Sequence, residues 1–259
     1  MTDETTHEDR VRHSFRRQVG QFDGPNAPFA RLAEGAPAWV GPLDPDSVVL
    51  DMACGAGHVS QTLAPFVRQV VGVDLTPELL ALGAARLRDA GVANVLLQEA
   101  NVERLPFTDE SFDVVVCRAA LHHFADPRRA LAEARRVTRV GGRLVMSDMV
   151  VTVSDARDRF DDLHRALDPS HVRCFTPDEL RAACADVASV AHDETSEFRA
   201  PVDIAITDLS DGDRVRDALR TELAGGPATG LQPAEADGSC TVAFVIDTVH
   251  AVRGACTAI

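Results

Sequence analysis

The residues best suited to bind a ligand lie in LDMACGAG, residues 50–57, where an apolar strand ends in an acidic residue and a turn of small residues follows. Ala53, Gly55 and Gly57 have little or no side chain, so the backbone there can approach a ligand closely. A helix predicted to begin near His58 would direct its free amides at an anionic group such as a carboxylate. Such a turn is typical of a ligand site where the strand order of an α/β sheet reverses.

The details of this turn distinguish between cofactors. A dinucleotide fingerprint needs a third glycine, and Ser60 stands where it should be, which disfavours NAD. Asp51 at the strand end can face an ammonium group, and Asp74 at the end of the next strand can accept from both ribose hydroxyls. An ammonium, a carboxylate and a ribose together describe S-adenosylmethionine (SAM). The alternative is an ordinary tight turn that binds no ligand.

These residues are positioned by an alternation of apolar runs and helical patterns. The runs that predict buried parallel strands are VVLDM (48–52), VVGVD (70–74), VLLQE (95–99), DVVVC (113–117) and RLVMSD (143–148). Helices are predicted from Pro77 to Gly91 and from Pro127 to just before Gly141. Beyond residue 150 the patterns predict a strand over 187–198, exposed helix over 199–224, a turn over 225–238 and one long strand over 240–252. The alternation indicates a doubly wound sheet.

The composition excludes several classes of protein. The chain has 259 residues, 26 of them Lys or Arg and 40 Asp or Glu, with a formal net charge of −14. It contains no lysine, which excludes Schiff-base chemistry, a pyridoxal-phosphate anchor and the P-loop and kinase lysines. An acidic chain with one tryptophan, Trp39, and no tyrosine also lacks the basic groove and stacking surface of nucleic-acid-binding proteins. We therefore expect no nucleic-acid partner.

The first ten residues are polar, and no run approaches the roughly 18 apolar residues of a membrane span. We therefore expect a cytoplasmic protein that is not integral to a membrane. The cysteines are scattered and form no CxxC pair, which predicts reduced thiols and no metal site; they are Cys54, Cys117, Cys174, Cys184, Cys240 and Cys256.

Four motifs occur in order along the chain: LDMACGAGH, VVGVDLTPELL, ANVERLPFTDESFDVVVCRAALHHF, and a Gly-Gly turn leading to RLVMSDM. With them the sequence resembles the class I SAM-dependent methyltransferases over about residues 10–185. The most similar branch acts on small molecules and includes the ubiquinone/menaquinone-biosynthesis C-methyltransferases and natural-product O-methyltransferases. The resemblance implies an α/β fold: a doubly wound, Rossmann-like, seven-stranded, mostly parallel sheet with an antiparallel last strand and helices on both faces.

The resemblance also implies a set of cofactor-binding residues. The methionine part of SAM would be held by Asp51, Ala53, Gly55 and Gly57, and the ribose and adenine by Asp74, Leu75, Asn101 and Val102. Cys117 and Arg118 would lie where the fourth strand passes the methionine part and contact it through backbone groups, and Phe15 and Phe22 belong to a helix that often covers the cofactor. Two positions depart from the common pattern. Ala53 replaces the usual first glycine, and Asn101 replaces an aspartate that accepts from the adenine amino group. The Asn101 carbonyl can still accept, so we expect binding to be retained.

Methyl transfer is an in-line displacement, so the protein must align a nucleophile and, where needed, remove its proton. Candidate bases lie after strands four and five: His122 and His123 in ALHHF, and Asp148. In similar sugar and natural-product O-methyltransferases, a His pair and an Asp at these places are proposed to act on the acceptor hydroxyl. The alternatives are that both histidines pack around the cofactor and that Asp148 caps a helix or lies in a solvated loop.

A second polar cluster, DPSHVRCFT (168–176), resembles a segment of related enzymes that folds over the mouth of the active site. His171 and Arg173 are candidate contacts to the methyl acceptor. The alternative is a surface turn that leads to a helix beginning at Pro177.

The chain is predicted to be one methyltransferase domain in four parts. These parts are a helical cover (1–40), a SAM-binding core (41–150), a lid region (151–186) and a completion of the sheet (187–259). A homodimer and a monomer are both compatible with the sequence.

The predicted activity is methyl transfer from SAM to an oxygen or carbon of a small metabolite, which releases S-adenosylhomocysteine. Arg-only basicity with abundant alanine indicates a GC-rich bacterial genome, where such enzymes commonly modify secondary metabolites. Two alternatives are a SAM-binding protein that catalyses a non-methylating step such as cyclisation, and a silent binding subunit.

Overall fold

A computed structural model describes residues 6–23, 35–204, 206, 210–236 and 239–255. Parts of the predicted N-terminal cover, residues 1–5 and 24–34, lie outside the described residues, as does Cys256. Within the described residues, none of the helices has the length and apolar character needed to cross a bilayer.

The described elements follow the alternation expected from the sequence. The strands are β1 (Val48–Met52), β2 (Gln69–Asp74), β3 (Val95–Glu99), β4 (Phe112–Arg118), β5 (Thr138–Met149), β6 (Ser189–Pro201), β7 (Ala234–Ala236) and β8 (Ser239–Val252). The α-helices are α1 (His7–Arg17), α2 (Ala36–Val40), α3 (His58–Leu63), α4 (Pro77–Asp89), α5 (Pro127–Val137), α6 (Arg157–Leu167), α7 (Pro177–Ala185) and α8 (Gly212–Leu223). Short 3-10 turns include Leu121–His123 and Val202–Ile204.

The strands form one sheet in the order β3-β2-β1-β4-β5-β8-β6, with β7 paired to β8. Strands β1 to β5 are parallel, and β8 runs antiparallel to β5 and to β6. The doubly wound, mostly parallel α/β fold with an antiparallel last strand is confirmed, and β7 adds a short eighth strand. The strand order reverses between β1 and β4, which puts a crevice outside the carboxyl ends of these two strands.

The central strands are buried on both faces because each face is covered by helices. Along β4 the side chains alternate between two cores: Val114 and Val116 belong to one, and Val115 and Cys117 belong to the other. Helix α5 begins at Pro127 and covers the second core with its apolar side. The polar ends of these buried strands are thereby held in fixed positions at one edge of the sheet.

The C-terminal part differs from the sequence-based expectation in two ways. Residues 199–201 were predicted to be helical and instead continue β6, because they pair with the amino end of β8. Residues 234–236, inside the predicted turn, form β7 against the same end of β8. Helices α6 and α8 pack beside this extension around a core of their own, which includes Phe160, Leu219 and Val242.

Replacing Gly83 with alanine will lower the free energy of unfolding by about 1–3 kcal/mol. Gly83 lies within α4, and a Cβ there would overlap the carbonyl oxygen of Ala56 and come 2.9 Å from Leu97 Cδ1. The gain in helix propensity from glycine to alanine, about 1 kcal/mol, only partly offsets this overlap. Chemical denaturation measures the effect, with Gly20→Ala as the control because nothing lies within 4 Å of its Cβ position. Equal stability of the two variants would contradict the described packing of α4.

Candidate cofactor and acceptor site

A cavity of about 700 Å³ opens at the edge of the sheet where β1, β2 and β4 end. Its volume is in the upper part of the range of about 300–1,000 Å³ that is usual for ligand pockets. The predicted site residues that line it are Phe15, Phe22, Ala53, Gly55, Asp74, Leu75, Asn101, Val102, Arg118, His122, His123 and His171. The structure thus brings residues from the first three sequence motifs together in one cavity, and Met149 of the fourth motif also lines it.

The turn after β1 is held to the end of β2 by Asp74. One carboxylate oxygen of Asp74 accepts from the Gly55 amide at 2.8 Å, and the other accepts from the Thr76 amide at 2.8 Å. Ala53 has φ +53° and Gly55 has φ +55°, so the backbone of both residues lies in the left-handed region. Ala53 therefore adopts the backbone conformation that a glycine would adopt more easily. Asp74 also lines the cavity, and each of its oxygens has a further lone pair for a ligand.

Asp51 lies beneath this turn and is not part of the cavity wall. It is 2% exposed, and its Oδ2 accepts from Ser60 Oγ at 2.5 Å. Burial raises the pKa of Asp51 to about 7, and burial also raises the pKa of Asp74. A cationic ligand would favour the charged form of both carboxylates. The site is therefore electrostatically suited to a ligand that carries a sulfonium and an ammonium.

The N-terminal helix α1 forms another wall of the cavity. His7 Nε2 lies 2.7 Å from the backbone oxygen of His123, and Ser14 Oγ donates to Asp168 at 2.7 Å. Asn101 connects α1 to the adenine side of the cavity, because its Nδ2 donates to Glu8 at 2.7 Å. Asn101 Oδ1 accepts from the Glu103 amide at 2.7 Å, and its second lone pair is available to a ligand.

His122 lies on the cavity wall and forms a buried pair with Asp148 behind it. His122 Nδ1 lies 2.6 Å from Asp148 Oδ1, and Asp148 Oδ2 accepts from the His122 backbone amide at 3.0 Å. Burial lowers the pKa of His122, but the Asp148 carboxylate more than offsets this, and the pKa is raised above its ordinary value. The hydrogen bond assigns the neutral ring a proton on Nδ1, so Nε2 is its proton acceptor.

His123 has different surroundings from its neighbour. Its Nδ1 lies 3.0 Å from Ser170 Oγ, and that hydroxyl donates to Asp168 Oδ1 at 2.6 Å. The ring packs against Phe15 at 5.0 Å between centroids. Burial and the adjacent His122 lower the pKa of His123, which makes it the weaker base of the two. The two histidines, which the sequence analysis offered equally as candidate bases, therefore differ in basicity, and His122 is the stronger base.

Some predicted site residues lie away from the cavity wall. Asp148 is fully buried behind His122, and Cys117 is fully buried in the core. Gly57 precedes α3 as its N-cap. Arg173 is half exposed and pairs with Glu179 at 2.6 Å, which favours the surface turn over a contact with the acceptor.

His171 does line the cavity, with its Nε2 lying 2.8 Å from Asp161 Oδ1. Sequence reasoning missed Asp168, although it begins the DPSHVRCFT cluster. It also missed His164, whose spacing from Phe160 and Leu167 was a signal that it faces the interior.

Lowering the pH from about 6.5 will destabilise the fold through His164. Burial, followed by the His171 ring, lowers the pKa of His164 to about 3. Below about pH 6.5 the unfolded chain binds a proton on His164, whereas the folded chain does not until about pH 3. The contribution of His164 to the free energy of unfolding is therefore fully present above pH 6.5, and it falls by about 1.4 kcal/mol per pH unit as the pH is lowered toward 3. Denaturation at several pH values measures the slope, which His164→Phe will reduce by one proton. The exposed His13→Gln serves as the control, and an unchanged slope in His164→Phe would contradict the assignment.

A reversal of strand order, a turn of small residues and the buried carboxylate of Asp74 meet at one cavity, and this arrangement suits a nucleoside cofactor. Comparison with known proteins then identifies the family: residues 50–146 match the family described as a methyltransferase domain. This part of the chain is therefore similar to methyltransferase domains, in agreement with the resemblance that its motifs carry.

The relatives agree with this identification. YcgJ of Bacillus subtilis, named as an uncharacterized methyltransferase, is 36% identical over 155 residues, which are 60% of this chain and 61% of YcgJ. Its crystal structure has a TM-score of 0.74 at 25% identity and covers 94% of this chain and 99% of that one. The ubiquinone/menaquinone C-methyltransferase UbiE of Psychromonas ingrahamii is 34% identical over 120 residues, 45% of this chain and 48% of UbiE. In sequence, the chain therefore spans about half to three fifths of these relatives.

The [4+2]-cyclase SpnF has the same fold, with a TM-score of 0.65 at 17% identity and coverage of 96% of this chain and 98% of that chain. This likeness concerns the fold alone.

Proposed function

We propose that the chain transfers a methyl group from SAM to an oxygen or carbon of a small molecule and releases S-adenosylhomocysteine. The observation that carries the proposal is the 2.6 Å pair of His122 Nδ1 and Asp148 Oδ1. His122 lines the same cavity as Asp74 and Gly55, so a base and a cofactor turn share one space. Proton removal next to a bound methyl donor is what such a transfer requires.

When bound, SAM supplies an electrophilic methyl group on a sulfonium leaving group. Asp74 and Leu75 would hold the ribose, and Asn101 and Val102 would meet the adenine; all four residues line the cavity. Asp51 lies beneath the turn and offsets the positive charge of the ligand through the field of its carboxylate. Helix α1 lines this side of the cavity.

His122 Nε2 takes the proton from the acceptor hydroxyl or from an acidic C–H. Asp148 fixes the ring tautomer through Nδ1 and stabilises the imidazolium that forms. His123 and His171 lie on the same wall and orient the acceptor with their ring nitrogens. The ring centroids of His122 and His123 lie 4.1 Å apart, and those of His122 and His171 lie 5.6 Å apart. One small molecule can therefore touch all three rings.

The biological setting belongs to the same proposal. An Arg-only, alanine-rich composition supports a role in secondary metabolism of a GC-rich bacterium. The cavity of about 700 Å³ supports a small molecule, rather than a macromolecule, as acceptor. The proposal keeps the cytoplasmic location expected from the sequence.

The test is an assay with SAM labelled in its methyl group and a panel of phenols, quinols and activated methylene compounds. Labelled product together with an equal amount of S-adenosylhomocysteine supports the proposal. Conversion of an acceptor without S-adenosylhomocysteine would replace it with a non-methylating reaction such as cyclisation. SAM binding with no conversion of any panel member would favour a silent binding subunit.

A further inference from the structure

One wall of the cavity is apolar and has no role in holding the cofactor. It contains side chains from the end of β6, from the 3-10 turn that follows, and from the first half of β8. We call it the C-terminal wall, and its residues are Phe198, Ala200, Ile204, Phe244 and Ile246. None of these positions was a predicted site residue.

The C-terminal wall exists because β8 is longer than its neighbour β5. Ile246 pairs with Met149, the last residue of β5, so the residues of β8 before Ile246 extend past the edge of the sheet. There they pair with the end of β6, with Phe244 opposite Phe198. The two strands thus form a projection beyond the ends of β4 and β5, where His122 and Asp148 lie.

The order of the strands decides what this projection can contact. The cofactor turns follow β1 and β2 on one side of β4, whereas β8 and β6 lie on the other side of β5. His122 stands between the two sides, after β4. A molecule whose reacting atom lies at His122, with SAM on one side, must therefore extend along the C-terminal wall.

The chemistry of this wall suits an uncharged molecule. Phe198 and Phe244 stack with their centroids 5.2 Å apart, and Phe198 remains 39% exposed while Ile204 remains 46% exposed. Large apolar groups left exposed around a cavity are typical of a binding surface, because their burial by a ligand is favourable.

The charges of the cavity point the same way. Among the described residues that line it, Arg118 is the one arginine, and it lies 4.8 Å over the Trp39 ring and donates to Ser147 at 3.1 Å. The acidic residues that line the cavity are Glu8, Asp74, Glu103 and Asp168. A phosphate or carboxylate on the acceptor would meet four carboxylates and a single guanidinium, that of Arg118, which is already stacked on Trp39 and bonded to Ser147.

We propose that the C-terminal wall is the acceptor subsite and that the acceptor is an uncharged, largely apolar small molecule, such as a hydrophobic phenol. Its apolar body packs against Phe198, Phe244 and Ile246, and its reactive hydroxyl or carbon lies at His122. This inference rests on the proposed function.

The test uses calorimetric binding of 4-alkylphenols to the full chain saturated with S-adenosylhomocysteine. We expect affinity to rise with each added methylene, by up to about fourfold, and to be at least about tenfold lower for the 4-alkylbenzoate of matched length. Phe244→Ala will weaken octylphenol binding about tenfold or more, and Phe244→Leu will restore part of it. Phe66→Ala is the control, because Phe66 is also exposed but lies away from this cavity.

Binding of S-adenosylhomocysteine is measured in every variant and shows that each one is folded. Equal affinity for the phenol and the benzoate, or unchanged affinity in Phe244→Ala, would overturn the subsite. A dimer that dissociates in Phe198→Ser, with phenol binding intact, would assign the wall to a second copy of the chain and also overturn it. Methylation of polar acceptors without dependence on chain length would overturn the subsite and leave the proposed function standing. Binding that depends on chain length, without methyl transfer to any phenol, would support the subsite and overturn the proposed function.

Discussion

Replacing His122 with alanine will lower turnover by about 10²–10⁴-fold and leave the affinity for SAM almost unchanged. The reason is that His122 lies on the acceptor side of the cavity, with Asp148 behind it, whereas the cofactor turn is held by Asp74. Steady-state kinetics with an acceptor that the wild-type protein methylates measure turnover, and calorimetric titration with SAM measures its affinity. Full turnover in His122→Ala would assign the imidazole to packing.

The matched variant for this experiment is His123→Ala. In the unchanged chain, burial and the adjacent His122 lower the pKa of the His123 ring, so we expect His123 to contribute less to proton removal than His122 does. A larger loss of turnover in His123→Ala than in His122→Ala would reverse the assignment of the base.

The pH dependence gives an independent measure of the same pair. His122 acts as a base only when neutral, so turnover will rise with pH through its pKa, which Asp148 raises. Asp148→Asn removes that negative charge, so the rising limb will move to lower pH while the plateau falls. The plateau falls because an amide stabilises the imidazolium less than a carboxylate does. An unshifted limb would show that His122 is not the titrating group.

The second large effect concerns the cofactor. Asp74→Ala will weaken SAM binding by about 1.5–3 kcal/mol, the usual contribution of a hydrogen bond to a charged group. The loss is expected because, in the proposed function, the carboxylate binds the ribose, and because it accepts from the Gly55 and Thr76 amides that shape the turn. Calorimetry with SAM and S-adenosylhomocysteine measures it, with NAD as a ligand that should not bind.

Two further variants separate the ribose contact from the turn. Asp74→Asn keeps one oxygen acceptor for a backbone amide, so it should preserve the melting temperature better than Asp74→Ala. The exposed Asp109→Ala removes a surface carboxylate and is the control for net charge. Unchanged SAM affinity in Asp74→Ala would remove this residue from the site.

The core of the fold was predictable because its strands are continuous apolar runs between strong turn signals. VVLDM and DVVVC are buried on both faces, and only a parallel sheet covered by helices places such runs favourably. The end of β6 was not predictable in the same way. Residues 199–201 contain no apolar alternation, and they become a strand because β8 offers them backbone partners. That pairing depends on tertiary structure rather than on local propensity.

The same division applies to the site. The turn residues Ala53 and Gly55 were predictable because their backbone conformation needs small side chains. The difference between His122 and His123 was not, because it depends on which distant carboxylate each ring reaches. Asp168 accepts from the neighbouring Ser170 and also from Ser14, which is 154 residues away, and no spacing in the chain indicates the contact with Ser14.

The projection of β8 and β6 beyond β5 separates two tasks in the proposed function. The projection contacts the acceptor, whereas the turns after β1 and β2 hold the cofactor. Substitutions on the projection can reshape one end of the cavity without touching the turns after β1 and β2. The family match ends at residue 146, within β5, whereas the structural likeness to YcgJ extends over 94% of the chain. Under the proposed function, substitutions in the projection would therefore change which acceptor binds, while the turns after β1 and β2 would keep the same methyl donor.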